Sequence, residues 1–216
     1  KYGLKTEIVD LHQAIGYLGF KEIRNLAMAG SISTIFQTEL QIGNYSRAGL
    51  WNHSVGVATC AKMLASRLKL PNFEDAYIAG LLHDLGIVLV DEHQNQRFQE
   101  ILAAVAAETP LASTERKVLG FDHMRLGGAL AEKWKFPRLV RDSMEYHHHS
   151  GRLDGPSWRV VACVETADFV CSVIGLTAVG VNTIQAPKKT FLRLDLTKSD
   201  LVVLAVKPQQ LDAALD

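Results

Sequence analysis

EDAYIAGLLHDLGIVLV, residues 74–90, is the stretch on which the reading of this chain turns. Ile78, Leu81, Leu82, Leu85 and Leu89 recur at helical spacing and make one apolar face, while Gly80, His83, Asp84 and Ile87 make much of the other. The spacing predicts one helix over 73–90, with an imidazole and a carboxylate side by side among leucines. An unpaired ionised carboxylate in such surroundings costs several kcal/mol, so something must compensate it: an ion pair, a hydrogen-bond network or a metal. Gly80, one turn before His83, leaves room for a neighbouring element to come close.

Outward from this stretch, helix signals dominate and strand alternation is scarce. Helices are expected at about 8–18, 20–37, 47–68, 73–90, 95–107, 112–119, 123–134, 137–149, 157–175 and 198–215. Pro71, Pro110, Pro137 and Pro156 fall at or near helix starts, where a missing amide costs nothing. The segment 176–196, punctuated by Gly, Asn and Pro, reads as a loop. The expected fold is therefore all-α, a compact helical bundle in one domain over 1–216.

Composition narrows the function classes. The 216 residues are 48% hydrophobic and 21% charged, which suits one sizeable core. Lys+Arg and Asp+Glu both number 23, so no overall field draws nucleic acid or an anionic membrane to the surface, and neither is expected as a partner. No apolar run is long enough for a spanning helix and the first thirty residues lack a signal-peptide pattern, so a cytoplasmic location is expected. Cys60, Cys163 and Cys171 lack metal-like spacing and read as small core residues.

Two further helices carry polar groups inward. In LWNHSVGVATCAKMLA, residues 50–65, His53 shares a stripe with Val57, Cys60, Ala61 and Leu64; in RVVACVETADFVCSV, residues 159–173, Asp168 lies in line with Val161, Val164 and Cys171. Each alone has an ordinary reading. A histidine on a core stripe suits a hydrogen bond to a carbonyl, and a mid-helix aspartate suits a cap or an ion pair. Together, His53, His83-Asp84 and Asp168 on three inward faces supply the nitrogen and oxygen ligands that divalent ions take.

The order of His53, GLLHDLG and Asp168 in ETADFV resembles the HD superfamily of helical metal-dependent phosphohydrolases. The runs AIGYLGFKEIRNLAMAG (14–30), LWNHSVGVATCAKMLA and EDAYIAGLLHDLGIVLV resemble, more specifically, the HDOD domain, the HD-related output domain of bacterial signalling proteins. The resemblance begins partway into that domain, so the family's N-terminal helical region is expected to be missing. It implies an HD-type bundle and a signalling output module with a protein partner. The alternative it implies is an active phosphohydrolase acting on a nucleotide or cyclic dinucleotide, with Asp84 in the catalytic role.

Three other histidines extend the pattern. His123, in LGFDHMRLGGALAEKW (119–134), begins a helix whose later turns carry Gly127, Leu130 and Trp134, and His147 and His148 follow Val140, Ser143 and Met144 in the run ending DSMEYHHHS. His149 fits a solvated helix terminus equally well. The related HD-GYP phosphodiesterases place a histidine and then a His-His pair between the His-Asp motif and the last aspartate. That likeness implies a dinuclear site, with His53, His83, Asp84 and Asp168 on one ion, His123, His147 and His148 on the other, and Asp84 bridging. One or two divalent ions are expected, with Fe, Mn, Zn, Ni and Mg not distinguished. Two departures stand out: HDLGI puts Ile87 where HD-GYP enzymes have the lysine of HDIGK, and SGRLDGPSWRVV (150–161) keeps DG but lacks GYP.

Overall fold

The computed structural model describes residues 10–38, 41–105, 109–197 and 199–201. Among them the regular structure is helical apart from one small hairpin. In order, the elements are α1 (Leu11–Leu18), α2 (Phe20–Ser33), β1 (Gln41–Ile42), β2 (Tyr45–Ser46), α3 (Arg47–Arg67), α4 (Asp75–Leu82), α5 (Leu85–His93), α6 (Asn95–Ala104), α7 (Leu111–Leu119), α8 (His123–Lys133), α9 (Arg138–Tyr146), α10 (Trp158–Val173) and α11 (Lys188–Arg193). Short 3-10 turns occupy Thr34–Phe36 and Ser150–Arg152. The expected all-α bundle is what forms.

Side-chain caps start the helices that matter most for position. Ser46 accepts from the amide of Gly49 and starts α3 directly after β2, and Asp122 accepts from the amide of Arg125 and starts α8 at His123. The hairpin pairs Ile42 with Tyr45 antiparallel. It is tied to the bundle by a buried network, in which the Tyr45 hydroxyl donates to Asp91 at 2.8 Å and Arg47 Nε donates to the same oxygen at 2.7 Å. That network fixes the start of α3 against α5, and with it the relation of His53 to Asp84.

Two apolar clusters form the interior. One packs α3, α4 and α10 around Val57, Leu64, Val160, Val164 and Phe169; the other packs α4, α5, α6, α8 and α9 around Leu82, Ile87, Phe98 and Met144. Helix α10 is buried on nearly every side from Val160 to Ser172. The three cysteines are free and buried, as core residues.

The helix expected over 73–90 breaks in two at His83-Asp84. His83 Nδ1 lies 2.7 Å from the carbonyl of Gly80, so the side chain takes an acceptor of the helix ladder, and Asp84 sits at φ −99°, ψ 13°, between the helical and extended regions. The break turns both side chains into the bundle instead of leaving them on one helical face. Close backbone approach makes this possible: a Cβ on Gly80 would lie 2.8 Å from Ala58 Cα, and one on Gly86 only 2.1 Å from the carbonyl oxygen of His123.

Three other expectations shift. Helix 137–149 ends at Tyr146, where His147 caps it, and the chain turns into the 3-10 segment. Helix 20–37 passes into 3-10 geometry after Ser33. The loop expected over 176–196 contains α11, which begins after Pro187 and buries Phe191 against Phe169. The helix expected over 198–215 lies almost wholly outside the described residues.

Candidate metal centre

Five elements deliver seven side chains to one point between the two apolar clusters. His53 comes from the middle of α3, His83 and Asp84 from the break between α4 and α5, His123 from the first position of α8, His147 and His148 from the turn after α9, and Asp168 from the middle of α10. Ligand atoms of His53, His83 and Asp168 lie within 4.8 Å of one another, and so do those of Asp84, His123, His147 and His148. Both groups are capable of holding a metal ion. His149 belongs to neither.

Asp84 joins the two groups. Its Oδ2 is 3.3 Å from His83 Nε2 and 3.5 Å from His53 Nε2, while its Oδ1 is 3.3 Å from His147 Nε2 and 3.6 Å from His123 Nε2. Asp168 closes the outer sides, with Oδ1 at 3.3 Å from His53 Nε2 and Oδ2 at 3.4 Å from His148 Nδ1. These separations exceed good hydrogen bonds. Indeed His53 Nε2, His83 Nε2, Asp84 Oδ1 and Asp168 Oδ2 are buried without a hydrogen-bond partner. Four orphaned polar atoms facing one another are the signature of a group that belongs between them.

The outward nitrogens show which lone pairs are free. His53 Nδ1 meets the carbonyl of Leu176 at 2.7 Å, His83 Nδ1 that of Gly80 at 2.7 Å, and His147 Nδ1 that of Ser143 at 3.0 Å. A carbonyl only accepts, so each Nδ1 carries the proton and donates it. In the neutral ring Nε2 then presents its lone pair inward, the arrangement that orients a histidine toward a metal. His123 has a stronger anchor: Glu115 Oε2, on α7, accepts from its Nδ1 at 2.6 Å and from its backbone amide at 3.0 Å.

Charge follows the same geometry. Burial disfavours ionised Asp84, yet His83, His147 and His53 hold its carboxyl well below the usual carboxylate range. Asp168, also opposed by burial, is held at about 2 by His53 and His148. Burial works against imidazolium at His53, but Asp168 and Asp84 outweigh it and raise the pKa well above the ordinary value. At His123 Glu115 outweighs burial and pushes the pKa up to about 9. Burial lowers His147 despite Asp84, and burial with the neighbouring His147 holds His148 well below the usual range. The donor set, five imidazoles and two carboxylates, fits one or two divalent ions. Such ions would supply Lewis acidity and a nucleophilic hydroxide from bound water.

Access is narrow. Ile87, fully buried, walls a cavity of about 10 Å3 beside Asp84, His123, His148 and Asp168, and Ala178, Val181, Thr183 and Ile184 cover it. His148, whose side chain is 19% exposed, also borders a cavity of about 240 Å3 with Arg116, His149 and Glu165. His148 is therefore the most exposed of the seven side chains.

Sequence reasoning placed all seven inward residues but missed Glu115, the Leu176 carbonyl and Glu165. Glu165 accepts from Ser150 Oγ at 2.5 Å and from Thr190 Oγ1 at 2.7 Å, locking the turn after the histidine triplet onto α10 and α11. Glu115 left a readable signal, a carboxylate in line with Leu111 and Val118 on the apolar stripe of its helix.

Comparison with known proteins agrees with this architecture. The family model of the HDOD domain matches residues 1–150. An uncharacterized protein of Treponema pallidum (strain Nichols) is 26% identical over 153 residues, covering 69% of this chain and 29% of that protein. The chain thus spans under a third of the length of that curated relative. Among solved structures, an HDOD domain protein of unknown function from Geobacter sulfurreducens matches 99% of this chain and 72% of its own length, with TM-score 0.76 and 28% identity. A protein of Marinobacter aquaeolei VT8, provisionally assigned to signal transduction, matches 98% of this chain and 48% of its own length with TM-score 0.78; its 22% identity speaks to the fold alone. With the family model covering residues 1–150 of 216, the chain belongs to the HDOD domain family.

Proposed function

We propose that the chain is the regulatory output module of a bacterial signalling protein, and that His53, His83, Asp84, His123, His147, His148 and Asp168 bind one or two divalent ions that fix its helices in the arrangement a protein partner reads. The observation that carries this reading is the division of Asp84 between two groups of inward imidazoles, with orphaned oxygens and nitrogens facing one another. Ligands drawn from five elements are brought together only in the folded chain, so metal binding adds to stability by mass action. Membership in the HDOD family supports the output role, which is what the resemblance to that domain implies. No described helix is long and apolar enough to cross a membrane, and we place the module in the cytoplasm.

A second reading, hydrolysis of a nucleotide or cyclic dinucleotide with Asp84 in the catalytic role, draws support from the 240 Å3 cavity that reaches His148. Ile87 weighs against it, because a buried isoleucine at the edge of the centre offers no charge to a phosphate. The test pairs metal analysis of protein purified without chelator with an assay on a generic phosphodiester. Bound metal with negligible turnover is expected; rapid hydrolysis would favour the second reading.

A further inference from the structure

Residues 177–184 cross the centre as an irregular strap between α10 and α11. Ala178, Val181, Thr183 and Ile184 close a cavity of only about 10 Å3 beside Asp84, His123, His148 and Asp168. One water needs roughly 10–15 Å3 on such a measure. A hydrated divalent ion is too large to pass, so part of the cover must move before the centre can be filled.

The strap is the part of that cover least tied down. Ile87 and Leu111, which also line the cavity, belong to packed helices. By contrast, no backbone–backbone hydrogen bond joins residues 177–184 to any other described residue. Side-chain packing of Val179 and Thr183, both buried, holds the strap shut, and Gly180 fits at φ 81° against Asn44, where a Cβ would lie 2.3 Å from the carbonyl oxygen. Segments held by few contacts open at a lower free energy than the fold as a whole. The ends are fixed: the Leu176 amide donates to the Cys171 carbonyl at 2.9 Å, the Leu176 carbonyl accepts from His53 Nδ1, and the Ala186 carbonyl accepts from the Lys188 amide at 2.8 Å. Room to swing lies outside, where Val179 and Val181 border an open groove of about 710 Å3 formed with the hairpin and α6. Inside, Thr183 and Ile184 also line the 240 Å3 cavity, so displacing them would join it to the centre.

We propose that residues 177–184 form a lid that swings away from the bundle between fixed points at Leu176 and Ala186, and that its opening admits the divalent ion to Asp84 and the imidazoles around it. Because Leu176 stays in place, His53 keeps its orientation while the lid is open. The gating role rests on the reading of the seven side chains as metal ligands, whereas the lid itself is tested without metal.

Ser172, buried on α10, lines the cavity under the strap and is not one of the seven. Ser172→Cys puts a thiol of nearly the same size there. The test is iodoacetamide labelling of the full metal-free chain, read by peptide mass spectrometry, with the fully buried Cys163 of α10 as the internal measure of global unfolding. The added thiol is expected to react at least about tenfold faster than Cys163, because a local opening is more frequent than a global one. Adding Gly180→Ala, which presses a Cβ onto Asn44 and strains a left-handed position, should speed the added thiol by roughly another tenfold and leave Cys163 unchanged. The lid is ruled out if the added thiol and Cys163 react at one rate, if Gly180→Ala leaves the added thiol unaffected, or if it speeds both alike. Gly180→Ala alone should also release bound zinc to a chelator faster by the same factor. Unchanged release despite faster labelling would overturn the gating role, and a chain that binds no zinc would overturn the metal reading and the gate with it, while the labelling still decides the lid.

Discussion

His83 and His147 face opposite oxygens of one carboxylate: each Nε2 lies 3.3 Å from Asp84, the first from Oδ2 and the second from Oδ1. The two rings meet edge to face with centroids 4.9 Å apart, although 64 positions separate them in the chain, 147 less 83. Asp84 thus faces two imidazoles with each oxygen, whereas Asp168, which also touches both halves of the centre, faces one with each. Asp84 should matter more than any single imidazole. Asp84→Ala is expected to lose all tightly bound metal and to destabilise the metal-free chain by about 3–5 kcal/mol, the range for breaking a buried ionic contact from one side. His148→Ala should retain at least one ion. Metal analysis and denaturant unfolding of both variants check this, and equal losses in the two would contradict it.

Glu115 should act on one half only. Its carboxylate holds His123 by ring and backbone, and removal of such a supporting group typically costs about 10–100-fold in metal affinity. Glu115→Gln is expected to weaken one ion by that factor and leave the other unchanged in a calorimetric titration. A uniform loss at both positions would mean that Glu115 supports the fold rather than His123.

The raised pKa values of His53 and His123 give a pH dependence of opposite sign with and without metal. In the metal-free chain each raised value contributes stability that is fully present below the ordinary 6.5 and is lost as pH rises, through about 9 in the case of His123. The lowered His147 and His148 act in the other sense, but below 6.5, outside that window. Metal competes with the proton for Nε2 at both His53 and His123, so metal affinity should climb over the same range, with about one proton released per occupied site at pH 7 and about two when both are filled. Unfolding measured from pH 6.5 to 9 with and without metal should show apo stability falling while the metal-bound excess grows. Parallel curves would rule out proton competition at these rings.

Backbone contact sets a separate limit. A Cβ on Gly86 would collide with the carbonyl oxygen of His123, which starts α8 against α5. Gly86→Ala is expected to cost about 3 kcal/mol or more by overpacking and to displace His123 from Asp84. Unfolding free energy and metal content together check it; a variant with normal stability and metal would show that α8 can shift without consequence.

Much of this centre was legible because its residues interrupt periodic patterns. His53, His123 and Asp168 fall on apolar stripes of helices, where spacing alone turns them inward. The break at His83-Asp84 was not legible, because leucines on both sides continue the helical period and only the hydrogen bond from His83 to the Gly80 carbonyl ends it. The same holds for the cover over the centre. Val181, Thr183 and Ile184 lie in a segment without periodicity, and their position comes from tertiary contacts such as Gly180 against Asn44. The convergence of His147 and His148 on the same point rested on family likeness, since a histidine run at a helix end has an equally good solvated reading.

The role of Ile87 separates the output module from the hydrolase. Ile87→Lys places an ammonium at the cavity beside Asp84 and His123. Phosphodiesterase turnover should appear or rise in this variant while metal content stays unchanged. Wild-type hydrolysis that the substitution lowers would favour the enzyme reading instead.

The most direct measurement is the metal stoichiometry of the wild-type chain and of Asp84→Ala, each purified without chelator, equilibrated with divalent ions and analysed by mass spectrometry of the metals, with circular dichroism establishing that both are folded. One to two ions per wild-type chain and none in folded Asp84→Ala is the predicted result. A folded wild-type chain that binds no divalent ion, or an Asp84→Ala chain that binds as many as the wild type, would contradict the metal centre.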